Sequence, residues 1–175
     1  MLRVATVLLG IGIVSAVAAA EPTELMDARR KFDSLQQPTE ADRVRYVTQL
    51  VRLRESFTRR DADKMLAIDK EVMRHPMPVP SDPRQLAKLI VGKWTSPRHQ
   101  YLYRADGTWT MLPELEDGYQ ATHGIWRVEG NQFSQGQSDA DASPETIILL
   151  TATDFVWSTR GVYYMRRGDA FPWRE

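Results

Sequence analysis

His75, His99 and His123 are the side chains of this 175-residue chain with the most versatile chemistry near neutral pH, and each stands 24 residues from the next. An imidazole can act as general base, general acid or metal ligand. Metal sites draw their ligands from short local spacings, and a chain without cysteine has no thiolate to add. Neither a Gly-x-Ser-x-Gly elbow nor a glycine-rich phosphate loop accompanies the histidines. Catalysis would need His99 or His123 beside a carboxylate such as Asp117, and ordinary, partly exposed histidines are the simpler reading. The chain is therefore expected to be non-enzymatic, with no cofactor and no metal; an enzyme of unfamiliar type built on His99 or His123 is the alternative.

Two acidic stretches could bind cations. Residues 113–123 contain Glu114, Glu116 and Asp117, residues 138–145 contain Asp139, Asp141 and Glu145, and neither holds a Lys or Arg. Over one end of a fold they would form an acidic rim. Asp139-Ala140-Asp141-Ala142-Ser143 alternates oxygen ligands as a calcium loop does, but Pro144 stands where such a loop needs glycine and Leu150 where it needs a bidentate acid. A solvated loop is the expectation.

The arginines Arg29, Arg30, Arg43, Arg45, Arg52, Arg54, Arg59 and Arg60 suggest an anion-binding surface until the acids between them are counted. Residues 21–83 carry twelve basic and twelve acidic side chains, and the whole chain carries 23 of each. Interleaved charges of opposite sign cancel beyond a Debye length, so a solvated face is expected and nucleic acid is excluded as a partner.

These residues are carried by a chain that opens like an export signal. Arg3 precedes an apolar run from Val7 to Val17, and Ala18-Ala19-Ala20 precede Glu21-Pro22. The run is shorter than the roughly 20 residues that span a bilayer, so cleavage after Ala20 is expected and an uncleaved anchor is the alternative. No stable membrane span then remains, and the protein is placed in the periplasm or outside the cell. Without cysteine, burial alone must hold the fold there.

Residues 21–76 read as about three helices. Leu25, Ala28, Phe32 and Leu35 form one stripe ended by Pro38. Thr39 with Asp42 gives a capping box for a helix with Val44, Val47, Leu50, Val51, Leu53 and Phe57 on its apolar face, and Asp61 caps a third with Met65, Ile68 and Val72. Residues 77–83 form a proline-rich linker. A short helix beginning at Pro83 runs into Gly92-Lys93-Trp94, where the period changes to two. Segments 93–97, 99–104, 108–112, 123–129, 132–137, 145–151, 155–159 and 162–167 read as strands, separated by turns such as Ala105-Asp106-Gly107, Glu129-Gly130-Asn131 and Arg160-Gly161. The fold class is α+β: helices followed by an antiparallel meander of about eight short strands. Closure into a barrel would remove the exposed edges, and an open sheet packed on the helices is the alternative. The barrel domain spans residues 84–170 and leaves a tail at 171–175.

Gly92-Lys93-Trp94, Tyr101 to Trp109 with its Ala105-Asp106-Gly107 turn, Gly124 to Asn131, and Tyr163-Tyr164-Met165-Arg166-Arg167 together resemble a small bacterial lipocalin-like (calycin-type) domain over about residues 84–168. The resemblance implies a closed barrel whose base is sealed by an arginine of the last strand lying over the tryptophan of Gly-x-Trp. Trp94 and Arg166, or its neighbour Arg167, fill those roles. A lipocalin-like barrel in turn implies a binding protein.

Alternation places Trp109 with Met111, Trp126 with Val128, and Phe155 with Trp157 on single faces. On the last strand, Val162, Tyr164 and Arg166 share one face and Tyr163, Met165 and Arg167 the other, so parity alone does not choose the inward set. Trp109, Met111, Trp126, Trp157 and Tyr164 are the candidate ligand-lining residues, for a small hydrophobic or amphipathic molecule. Four tryptophans could equally fill so short a barrel, and a filled core is the favoured reading. The alternative function is an envelope protein-interaction or inhibitory module acting through the helices or the acidic loops.

Overall fold

The computed structural model describes residues 21–76, 82–112, 120–158 and 161–168. The expected signal peptide, most of the proline-rich linker, the acids Glu114, Glu116 and Asp117, and the tail at 171–175 lie outside the described residues.

Helices α1 (Thr23–Asp33), α2 (Glu40–Glu55) and α3 (Ala62–Val72) come first, with a 3-10 turn at Arg59–Asp61 before α3, and α4 (Pro83–Ile90) precedes the sheet. The start of α2 is set by the expected capping box: the Asp42 amide donates to the Thr39 hydroxyl, 3.2 Å, and the Thr39 amide donates to the Asp42 carboxylate, 3.1 Å. Asp61 does not cap α3 with its side chain. Its carboxylate turns back to accept from the amide and hydroxyl of Thr58, 3.3 and 3.1 Å, and so caps the 3-10 turn instead. Asp82 accepts from the Arg84 amide at 2.9 Å, and Pro83 occupies the first turn of α4, where a missing N–H costs nothing.

The strands are β1 (Gly92–Thr95), β2 (Gln100–Tyr103), β3 (Thr108–Leu112), β4 (Thr122–Glu129), β5 (Gln132–Gly136), β6 (Ser143–Leu150), β7 (Asp154–Ser158) and β8 (Val162–Arg167). Every neighbour pair is antiparallel and in sequence order, and β8 returns to β1 through Trp94↔Arg167 and Thr95↔Arg166. The meander closes into a barrel, so the open-sheet alternative is overturned. Helix α4 seals the lower end, where Leu86 and Ile90 join the barrel core and the Trp94 indole donates to the Ile90 carbonyl at 2.6 Å.

Two apolar layers result. Inside the barrel lie Trp94, Tyr103, Phe133, Ile147, Phe155 and Met165 among others. Outside it, Leu25, Val47, Leu50, Ile68 and Val72 of α1–α3 pack on Ile148, Leu149, Val156 and Tyr164. The register of β6 against β7 slips between Ile147 and Leu149, so two consecutive residues, Ile148 and Leu149, both join the layer under the helices. A bulge places two residues opposite one in just this manner and doubles the apolar surface offered there.

Three of the arginines expected on a solvated face instead tie the structure together. Arg52 reaches from α2 to the buried Asp154 at the start of β7 with two bonds of 2.9 Å. Arg54 bonds Asp69 at 2.6 Å and lies 4.3 Å over the ring of Tyr164. Arg29 binds both Glu21 and the buried Glu71, at 2.6 and 2.7 Å.

Candidate functional site

The base of the barrel is built from the Gly-x-Trp segment. The guanidinium of Arg167 lies 4.1 Å over the Trp94 ring. It also donates to the carbonyls of Val91 (2.7 Å), Ala152 (3.1 Å) and Leu89, binding the end of α4 and the β6–β7 turn. The sealing arginine is therefore Arg167 and not Arg166. Strand parity sends Arg166 to the helical side, where it meets Glu55 and, at 3.1 Å, Asp154. Gly92 has φ +129°, and a Cβ there would stand 2.4 Å from Arg167 Nη1. Backbone conformation and the crossing arginine each require glycine.

The same parity corrects Tyr164. It faces the helices, donates to Asp69 at 2.7 Å, and cannot line the barrel interior. Trp109, Trp126 and Trp157 do belong to the barrel core, and the partly buried Met111 packs against it. Trp126 is anchored low, its indole N–H shared between the carbonyls of Arg104 and Thr108 at 3.0 and 3.1 Å. Trp109 donates to the Ile125 carbonyl at 2.9 Å, its ring covering Gly124, where a Cβ would come within 2.7 Å of it. Rings continue upward: Trp94 to Phe155 at 5.6 Å, Phe155 to Phe133 at 5.0 Å, Phe155 to Trp157 at 4.6 Å. These contacts fill the barrel from its base to mid-height.

The upper end is different. Glu145, where the acidic stretch and the expected strand 145–151 overlap, lies within β6 opposite Phe133, on the inward face. Its Oε2 and the indole Nε1 of Trp157 are both buried without a hydrogen-bond partner. Burial pushes the Glu145 carboxyl up to about 7, and the indole N–H of Trp157 opposes that rise. Among the described residues no cationic side chain helps to hold its charge. Burial, and then the charge of Glu145, push the Tyr101 hydroxyl up. Burial raises Tyr103 as well, whose hydroxyl donates to Gln135 at 2.8 Å. Tyr163 stacks on Trp157 at 5.6 Å and 12° and is 50% exposed, so this side of the cluster reaches solvent. The cluster can offer one acidic acceptor, one indole donor and several aromatic faces.

The histidines take other places. His123 Nδ1 lies 3.0 Å from the Thr110 hydroxyl, and His99 meets the ring of Tyr101 edge-on at 6.2 Å. Among the described residues it is His75 that meets a carboxylate, 3.2 Å from Glu71. That carboxylate is already bonded by Arg29, Tyr46 and Arg74. Burial alone would raise Glu71, but the hydrogen bonds of Arg29, Tyr46 and His75, led by Arg29, hold it at about 2. Asp139 pairs with Arg127 at 3.1 Å and Asp141 accepts from Ser138 at 2.7 Å, and no metal-holding group of acids or histidines occurs among the described residues. No helix among them is long and apolar enough to cross a membrane.

An eight-stranded up-and-down barrel, closed on itself and sealed by an arginine over a tryptophan, is a lipocalin-like barrel. Among solved structures, a lipocalin-like protein from Bacteroides uniformis is similar to it: 12% identical, with the alignment covering 46% of this chain and 99% of that one, at a TM-score of 0.39. No protein-family model and no curated protein matches the chain.

Proposed function

We propose that this is an exported binding protein that takes a small amphipathic molecule at the upper end of its barrel. The observation that carries the reading is the pair of buried, unpartnered polar atoms there, Glu145 Oε2 and Trp157 Nε1. Buried polar groups without partners are uncommon in folded proteins, and a bound molecule satisfies them while its apolar part lies against Tyr101, Met111 and Tyr163. Because rings fill the lower half, the ligand is small and held near the mouth, not threaded through the barrel. The test is a titration of tryptophan emission with eight-carbon alcohols, acids, amides and amines. A saturable change with any of these, weakened in a Trp157→Phe variant, is the expected result; a flat response to all of them would refute the reading.

Export is supported by the layout of residues 1–20, with Arg3, the apolar run and the closing alanines. Sequencing the N-terminus of the protein recovered from the periplasm or medium should begin at Glu21. Recovery only in the cytoplasm, starting at Met1, would remove this part of the proposal.

A second reading, docking of an envelope protein on the helices, is favoured by a recess of about 360 Å³ beside α1 and α3, where Leu66 is 51% exposed among charges of both signs, Arg29, Lys70 and Arg74 with Glu21, Asp63 and Glu71. Capture of an envelope partner by the parent and its loss in a Leu66→Asp variant would support this second reading, because the substitution leaves the barrel mouth untouched; equal capture by both would refute it.

A further inference from the structure

The chemistry of the barrel mouth says more about its ligand than the shape does. Three facts converge on Glu145. It is a carboxylate on the inward face of a strand with a buried oxygen that makes no well-formed hydrogen bond, the Trp157 N–H being the one donor that acts on it among the described residues. No positive side chain among the described residues compensates it. And it is bordered by rings: Tyr101, which feels its charge, and Trp157, on which Tyr163 stacks.

We propose that the upper end of the barrel takes a small organic ammonium, its charge held against Glu145 beside the rings of Tyr101, Trp157 and Tyr163; this rests on the binding role proposed above. A buried acid is costly while uncompensated and becomes an asset when a cation arrives. Aromatic faces are attracted to the same cation, which is how quaternary and primary ammonium groups are recognised elsewhere. Ionised, the carboxylate is a stronger acceptor for the Trp157 N–H as well as a partner for the ammonium, so one event favours both polar atoms. A carboxylate-headed ligand fares worse, since it would place two acids together in a site with no arginine or lysine among the described residues. An alcohol can donate to Glu145 and lay its chain on the rings, but its uncharged head gains no cation–π attraction from them.

The experiment compares n-octylammonium, n-octanol and octanoate on the full chain at pH 7.5, by calorimetry and tryptophan emission. Octylammonium is expected to bind at least about tenfold more tightly than the other two, the difference a compensated charge with aromatic contacts supports. Glu145→Gln, which keeps shape and removes charge, should abolish that preference, while circular dichroism shows the fold intact. Tyr163→Leu, at a half-exposed ring, should weaken octylammonium severalfold and leave octanol unchanged. If octanol or octanoate binds as well as octylammonium, or Glu145→Gln keeps the preference, the ammonium assignment is wrong and the binding role survives. If none of the three binds, both fall together.

Discussion

Glu145 is the residue whose environment departs furthest from what its type prefers, and that has a measurable consequence without any ligand. Its carboxyl, ordinarily near 4.5, is pushed up to about 7 by burial. Between those values the folded protein keeps a proton that the unfolded chain releases, so stability falls as pH rises from about 4.5 to about 7 and is level beyond. A Glu145→Gln variant has no such slope. Denaturant unfolding should find it more stable than the parent by about 1–2 kcal/mol at pH 8, after discounting for partial contact with water, and within about 0.5 kcal/mol at pH 4.5. A parent curve that rises through this window would contradict the account. Glu71 acts in the opposite sense: held at about 2, it contributes stability above 4.5 that is lost as pH falls toward 2. Little of this was legible in the sequence. Glu145 stands first in the strand expected at 145–151 and last in the acidic stretch 138–145, and only its pairing with the inward Phe133, in a strand that begins two residues earlier, reveals that it faces the barrel interior. Arg167 could not be told from Arg166 because β8 is apolar at four consecutive positions, 162–165, one face turned to the barrel core and the other to the helices.

The elements themselves were far more readable. The start of α2 follows from Thr39 and Asp42, whose reciprocal bonds need only a three-residue spacing. The strands follow from turn residues: Gly107 and Gly130 adopt φ of 83° and 59°, backbone that few other residues take without strain. What the pattern could not give was the side of each strand, most clearly in Ile147-Ile148-Leu149-Leu150, a run with no alternation in which the bulge decides that two residues face the helices. That face is the reason the helices are needed. A fragment comprising residues 82–175 would leave Ile148, Leu149, Val156 and Tyr164 uncovered and strip Asp154 of Arg52. Such a patch on a free surface invites association. The fragment is expected to elute as aggregates on size exclusion and to bind a hydrophobic dye strongly; a monomeric fragment that unfolds in one sharp transition would show the barrel to be self-sufficient.

On the scale of the molecule, balanced charge argued against a nucleic-acid partner, a cysteine-free sequence left no disulfide to form, and the change of hydrophobic period near Trp94 separated helices from barrel. The contact between the two parts lay beyond reach, because ion pairs such as Arg52 with Asp154 join residues 102 positions apart. Both cores, and the seal beneath them, are completed by the same three strands, β6 to β8. During synthesis, then, α1–α3 and β1–β5 emerge with neither their platform nor their closing partner yet made. Ring, bolt and helical cover are each completed by the final strand, so a chain cut before β8 is expected to lose all three at once.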